Sequence, residues 1–248
     1  MRNRLEYRIV SRHRDNIVNA LKTPAILHHP PEQTPVTGSF DVACRRCARL
    51  PQFLDDVKAD NPAYWCKPVP PFGAALAKLL LVGLAPGMHG ANRTGRPFTG
   101  DFAGRLLYDT LHRYGFATGP ISISADDGLS LLDCRITNAV KCLPPANKPT
   151  PAEIKLCNDY LRYELTVQAP PQIMLALGRI AHDAVLLAFG YKASAARFGH
   201  GVRHELPNGS VLYDSYHCSR YNTQTKRLTP AMFHAVFAQI RAELDSTR

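Results

Sequence analysis

At 248 residues and 45% hydrophobic content, the chain can bury one large core or two small ones, and gross disorder is excluded. Lys and Arg number 30 against 20 Asp and Glu, a net charge of +10 that favours an anionic partner, nucleic acid before a membrane surface. The longest apolar candidate, residues 74–84, is short and broken by Lys78, so no bilayer span is expected, and the N-terminus lacks an apolar signal core.

Residues 1–40 read as a basic, Pro-spotted leader, with one helix possible through Leu21. Arg2, Arg4, Arg8, Arg12 and Arg14 suit a basic arm or surface helix, and Glu6 and Asp15 argue against a transit peptide. His28-His29-Pro30-Pro31 and Pro35 oppose helix. Residues 41–75 hold Cys44-Arg-Arg-Cys47 and a connector, Lys67-Pro-Val-Pro-Pro71.

From Leu79 the pattern alternates. Leu79–Leu84 reads as a buried strand and Ala103–Tyr114 as a helix, with Leu106, Leu107, Thr110 and Leu111 on one face. Cys134–Val140 is a second strand. Thr150-Pro-Ala-Glu153 is a capping box that opens a helix. Ile173–Leu177 is a third strand, Arg179–Phe189 a helix, Ser210–Tyr216 a fourth strand, and Thr229-Pro230 starts a last helix toward Leu244. This alternation predicts an α/β sandwich with a mostly parallel sheet. Such sheets bind ligands outside the carboxyl ends of their strands. Three unusual segments follow strands directly, 83–101, 141–149 and 217–229, so the fold should gather them at one edge.

The chain has seven cysteines, an odd number that excludes complete internal pairing. With no secretion signal, a reducing compartment and metal ligation are expected. Cys44 and Cys47, with Cys142 and Cys157 about a hundred residues on, form two pairs without a neighbouring His. An all-thiolate site suits zinc or an iron–sulfur cluster, and spacing does not separate them. Cys66, Cys134 and Cys218 are expected to be small buried hydrophobes.

The segment from Gly83 to Asp101 is rich in Gly and carries His89, Asn92, Arg93 and Arg96. It reads as either a long surface loop or a pocket wall, in which Gly83, Ala85 and Gly87 bring backbone close to a ligand, Phe98 offers a flat face and Asp101 a carboxylate. It is not a P-loop, because the Gly-Lys-[Ser/Thr] ending is absent. Asn138, at a strand end, either satisfies a core turn or reads a base edge, its amide offering donor and acceptor together. Asn147, in a Pro-flanked loop, is either a turn residue or a positioned polar group. His217 opens a loop of hydroxyls, amides and cations, including Ser219, Arg220, Asn222, Thr223 and Lys226, a composition suited to phosphate and sugar. His182, His200 and His204 lack such context and read as structural or peripheral.

Together, Gly83-Leu-Ala-Pro-Gly87, His89-Gly-Ala-Asn-Arg-Thr-Gly-Arg-Pro-Phe-Thr-Gly-Asp101, Val140-Lys-Cys-Leu-Pro-Pro-Ala-Asn-Lys-Pro-Thr-Pro151, Ala176-Leu-Gly-Arg179 and the run from Tyr216 to Thr229 resemble the family-five, B-type uracil-DNA glycosylases. The resemblance runs from about residue 40 to the C-terminus. Leu84 stands where family-four enzymes carry Glu, which points to family five; a polar residue at Asn138 looks more like family four. The resemblance implies an α/β/α sandwich around a four-stranded parallel sheet, with residues 41–248 as one glycosylase domain. It implies a [4Fe–4S] cluster on Cys44, Cys47, Cys142 and Cys157. It further implies removal of uracil, and of other deaminated bases such as hypoxanthine, from double- and single-stranded DNA. Asp101, His217 and Asn147 match its catalytic positions, since Ala85, Pro86 and Gly87 offer no polar side chain.

The expected reaction is monofunctional hydrolysis that leaves an abasic site, because no Lys is placed as a Schiff-base nucleophile. Phe98 would stack on the extruded base, Asn138 and the backbone of Gly83, Ala85 and Gly87 would hold it, His217 would stabilise the leaving anion, and Asp101 would orient water. Arg93 and Arg96 join the loop after His217 as expected DNA contacts. The protein is expected to be monomeric, cytoplasmic and nucleoid-associated. Two other readings are a non-catalytic nucleic-acid-binding module with structural zinc, and a redox enzyme using Cys44 and Cys47.

Overall fold

A computed structural model describes residues 39–168, 170–206 and 209–246; the expected leader helix lies outside them. Six strands form one sheet: β1 (Phe72–Gly73), β2 (Leu79–Gly83), β3 (Cys134–Asn138), β4 (Ile173–Leu177), β5 (Arg203–Glu205) and β6 (Val211–Ser215). Their order is β1-β3-β2-β4-β6-β5. The four central strands are parallel, as the sequence predicts. The sheet is wider than four strands, because β1 and β5 add short antiparallel edges. Two- and three-residue strands carry no periodic signal in sequence.

Leu-Leu-Leu-Val-Gly in β2 and Ile-Met-Leu-Ala-Leu in β4 are apolar throughout because both faces are covered. Leu79 and Leu81 point to one face, against Leu107 and Leu111 of α3 (Phe102–Arg113) and Phe233, Phe237 and Ile240 of α7 (Pro230–Ser246). Leu80 and Val82 point to the other, against Leu161 of α4 (Pro151–Tyr163) and Ala181 and Val185 of α5 (Arg179–Ala188). Each fully buried Leu contributes about 1.5–3 kcal/mol, so the three layers follow from strand alternation alone. The Thr150–Glu153 capping box forms as predicted.

The four-residue α2 (Ala91–Thr94) interrupts the Gly-rich segment. An unforeseen helix, α1 (Leu50–Asp60), buries Leu50, Leu54 and Val57. With Val140, Leu143 and Tyr160 it forms a third apolar cluster around the cysteines. The chain leaves β2 for β3 through α3 and returns past β2 to β4 through α4. That reversal opens a crevice beyond the carboxyl ends of β2 and β4.

Candidate active site

The crevice floor is made by Gly83, Asn138 and Phe98. A side chain at position 83 would collide with the Asn138 amide oxygen and the Phe98 ring, so only Gly lets the strand pass beneath them. Asn138 is 3% exposed, yet its Oδ1 has no hydrogen-bond partner. A buried orphan acceptor is costly and calls for an outside donor. The backbone N–H groups of Ala85 and Gly87 are also unpaired among the described residues. Phe98 is held in left-handed backbone at φ 54°. Its ring stacks on His217 with centroids 5.8 Å apart and an interplanar angle of 30°. A base sandwiched between the two rings would need roughly 7 Å, twice a van der Waals contact. The imidazole therefore has to shift before the face of Phe98 is free for a base.

Asp101 caps α3 by accepting from Gly104 N at 2.7 Å. Gly104 is obligatory, because any side chain there would strike the Phe98 carbonyl. The second oxygen of Asp101 faces Gly87 and Gly90. Burial raises the carboxyl above its ordinary value, and the N–H groups of Gly104 and Ala103 only partly offset this. His217 is desolvated down to about 4 and is neutral at physiological pH.

The strand end carrying His217 is tied down by histidines. Tyr216 N donates to His200 Nδ1 at 3.2 Å. Beneath it, His182 places Nδ1 at 2.7 Å from Asp214 Oδ1 and Nε2 at 3.1 Å from the Ala196 carbonyl. His204 Nε2 approaches Asp214 Oδ2 at 3.1 Å, and Gly199 N donates to the same oxygen at 3.3 Å. His182, His204 and Asp214 have metal-donor chemistry. However, 2.7 Å is a hydrogen-bond length, shorter than the roughly 3.3 Å between ligands on one tetrahedral zinc. Both His182 nitrogens meet acceptors, so the ring is an imidazolium buried against a carboxylate. Burial lowers its pKa, but Asp214 outweighs that and the net shift is upward. A raised folded-state pKa gives stability that is complete below the unfolded value of about 6.5. That stability is lost as pH climbs through the folded value. Denaturant melts from about pH 6 upward should show this loss, and Asp214→Asn should abolish the dependence.

Several sequence-predicted DNA contacts serve the protein itself. Arg96 is turned inward: it pairs with Asp127 at 2.6 Å, with side chains 6% and 9% exposed, and lies 4.3 Å from the Phe72 ring centroid. Burial opposes ionisation of Asp127, but Arg96 and three backbone N–H groups hold it down at about 2. Arg96→Ala strands that carboxylate and should cost about 3–5 kcal/mol in urea unfolding without changing the salt dependence of DNA binding. Ser219 caps the short α6 (Arg220–Gln224) by accepting from Asn222 N at 3.4 Å. Asn222 Nδ2 donates to His217 O at 2.8 Å, and the Thr223 hydroxyl donates to Ser219 O at 3.1 Å. These polar groups build the turn that presents His217. Arg93, Arg220 and Lys226 do remain exposed; Arg220 lies 5.1 Å from the Phe102 ring centroid, beside Asp101. Asn147 is exposed in left-handed backbone at φ 56°, and no hydrogen bond joins it to Asp101 or His217.

Cys44, Cys47, Cys142 and Cys157 line one cavity, while Cys66, Cys134 and Cys218 are buried apart from it. The Cys-Arg-Arg-Cys segment is latched onto α4. Arg46 reaches Asp159 at 2.9 Å, and Arg49 holds Glu153 through two bonds of 2.9 and 2.8 Å. Burial pushes the Cys47 thiol up to about 11, with Cys157, Glu153 and Cys44 adding to it. Cys142 and Cys157 are raised mainly by burial. Lys141 N donates to Cys157 Sγ at 3.3 Å. An all-thiolate donor set of this kind suits zinc or an iron–sulfur cluster.

The family model of the uracil DNA glycosylase superfamily matches residues 70–241. The type-5 uracil-DNA glycosylase of Thermus thermophilus is 47% identical over 204 residues, covering 80% of this chain and 93% of that protein. That of Pyrobaculum aerophilum is 42% identical over 208 residues, covering 82% and 89%. The type-4 uracil-DNA glycosylase of Archaeoglobus fulgidus is 34% identical over 149 residues, covering 60% and 61%.

Proposed function

The chain belongs to the uracil DNA glycosylase superfamily, and from that premise we propose that it hydrolyses the N-glycosidic bond of uracil in DNA as a type-5 enzyme. The observation that carries the reading is the orphan Oδ1 of Asn138, buried at the crevice floor between Gly83 and Phe98. An extruded base brings N–H donors on its pairing edge, and base flipping is how enzymes reach such an atom. The unpaired N–H groups of Ala85 and Gly87 suit its carbonyl oxygens.

As the bond breaks, the base takes on negative charge and the sugar positive charge. Neutral His217 donates an N–H to the departing base, and the Asp101 carboxylate lies where it can orient a water and offset the sugar's charge. The cleavage is hydrolytic, so the product is an abasic site. Tyr221, 71% exposed on α6, is suited to fill the gap that the flipped nucleotide leaves. Hypoxanthine and other deaminated bases in double- and single-stranded DNA are proposed as further substrates. Residues 41–248 are taken as one glycosylase domain that works in the cytoplasm beside nucleoid DNA. Among the described residues, no helix is long and apolar enough to cross a membrane.

The four thiols, which line one cavity, fit a [4Fe–4S] cluster by donor type. Bound there, it would supply a covalent tie between the N-terminal segment and α4. Arg46 and Arg49 already hold the two in register.

Oligonucleotides carrying one uracil, hypoxanthine or xanthine, treated with enzyme and then alkali, test the function. Strand breakage at uracil is expected. Intact strands throughout, with DNA still bound, would leave a binding module.

A further inference from the structure

Residues 120–129 form a loop held stiffly by the buried Arg96–Asp127 pair. Asp127 Oδ2 accepts from Ile123 N at 2.8 Å and Ser124 N at 3.3 Å, and its Oδ1 accepts from Leu129 N at 3.0 Å while pairing with buried Arg96. Ser122 is pinned through its hydroxyl to Thr99 at 2.7 Å and to Arg96 at 3.1 Å. Gly100 N donates to the Ser122 carbonyl at 3.2 Å. Ser122 thus points inward, and Ile121 and Ile123 on either side point outward, 69% and 65% exposed. Neither belongs to an apolar cluster of the core. Two isoleucines fixed in solvent by a buried ion pair are a surface awaiting a partner.

The same loop forms one wall of a groove of about 750 Å³. The groove also takes in Arg93, Arg105, Asp109 and, at its inner end, Asp101. Arg93 spends only its Nε, on the His89 carbonyl, and Arg105 makes no ion pair among the described residues. Arg220 lies over the Phe102 ring, next in sequence to Asp101, and Tyr221 beside it is exposed; neither lines the groove.

We infer that this groove seats the DNA strand beside the extruded nucleotide, with Ile121 and Ile123 packed on its deoxyribose faces and Arg93 and Arg105 on its phosphates. The inference rests on the glycosylase reading and adds a second DNA-binding surface to it. Continuity with Asp101 selects the occupant. Whatever fills the groove stands against the carboxylate that must face the substrate's sugar, so a protein partner there would block the site and the substrate's own strand would not. The chemistry agrees, because a nucleic-acid backbone alternates anionic phosphates with apolar sugar faces.

The test is the double variant Ile121→Ala, Ile123→Ala. Both side chains are exposed, so its melting temperature should match the wild type. Binding is read by fluorescence polarisation on a duplex with 2′-fluorinated deoxyuridine, which resists cleavage. The expected result is a Kd raised about 10-fold, with the single-turnover rate at saturating DNA within about twofold. The salt dependence should keep its slope in the Ile variant and lose about one unit in Arg105→Ala. Leu187→Ala, exposed on α5 away from the groove, should match the wild type. An unchanged Kd for the double variant overturns the proposal. So does a change in self-association, by sedimentation, in place of one in DNA affinity. If wild-type protein released no uracil, the glycosylase reading would fail, while the binding measurement would still judge the groove.

Discussion

Asp101→Asn is expected to slow single-turnover release of uracil by about 10³-fold while leaving affinity for uncleaved uracil DNA within about threefold. Asn is the informative replacement because Asp101 has two tasks. One oxygen caps α3, which Asn does equally well, whereas Ala loses about 1 kcal/mol. The other faces the crevice, and only a carboxylate offsets a developing cation there, an interaction that exists mainly in the transition state. Its raised pKa sets the pH dependence. The rate should fall as pH drops from neutral toward about 4, where His217 also takes up a proton. No alkaline limb should appear at the ordinary histidine value of about 6.5, because His217 is already neutral and has no proton to lose there. His217→Ala should slow uracil more than 5-fluorouracil, whose anion needs less help. A near-normal rate for Asp101→Asn would remove the carboxylate from the chemistry.

Cys142→Ser is expected to lose bound iron and sulfide together and to lower the melting temperature by about 10 °C. The size follows from where the four sulfurs sit. Without a cation, burial holds the Cys47, Cys142 and Cys157 thiols above their ordinary value, and the cavity between α1 and α4 then lacks a centre. Anaerobic protein should be brown, and elemental analysis should return iron with sulfide. One zinc and no iron would count against the cluster. Because Arg49 still holds Glu153 and Arg46 still holds Asp159, the variant should fold with a loosened N-terminal segment, visible as faster amide exchange over 39–60.

Much of this architecture was legible because burial on both faces writes itself into composition. β2 and β4 are unbroken apolar runs, and Thr150-Pro-Ala-Glu153 carries its capping chemistry in four letters. α1 was equally legible in principle, with Leu50, Leu54 and Val57 at helical spacing and Pro51 in its first turn, but the neighbouring cysteines and prolines masked it. Arg96 was not legible. A cation in a Gly-rich loop looks like a ligand contact until its carboxylate partner, 31 residues away, is folded onto it. Ser219, Asn222 and Thr223 show a related ambiguity, since the polar groups that suit phosphate also suit the tight turn they form. The carboxylate of Asp214 in a fully buried strand was a signal for a buried cation, but nothing local named His182 as that cation.

The four-sulfur cavity joins segments that a ribosome delivers far apart in time. Cys44 and Cys47 emerge roughly 100 residues before Cys142 and Cys157, an interval of about 5–20 s at ordinary elongation rates. During that interval the first pair is an exposed dithiol, with neither β3 nor α4 yet made to receive it. Arg46 and Arg49 have no partners then either, since Asp159 and Glu153 belong to the same late segment. The N-terminal segment can therefore dock only once β3 and α4 exist, so it waits for a partner made about a hundred residues later.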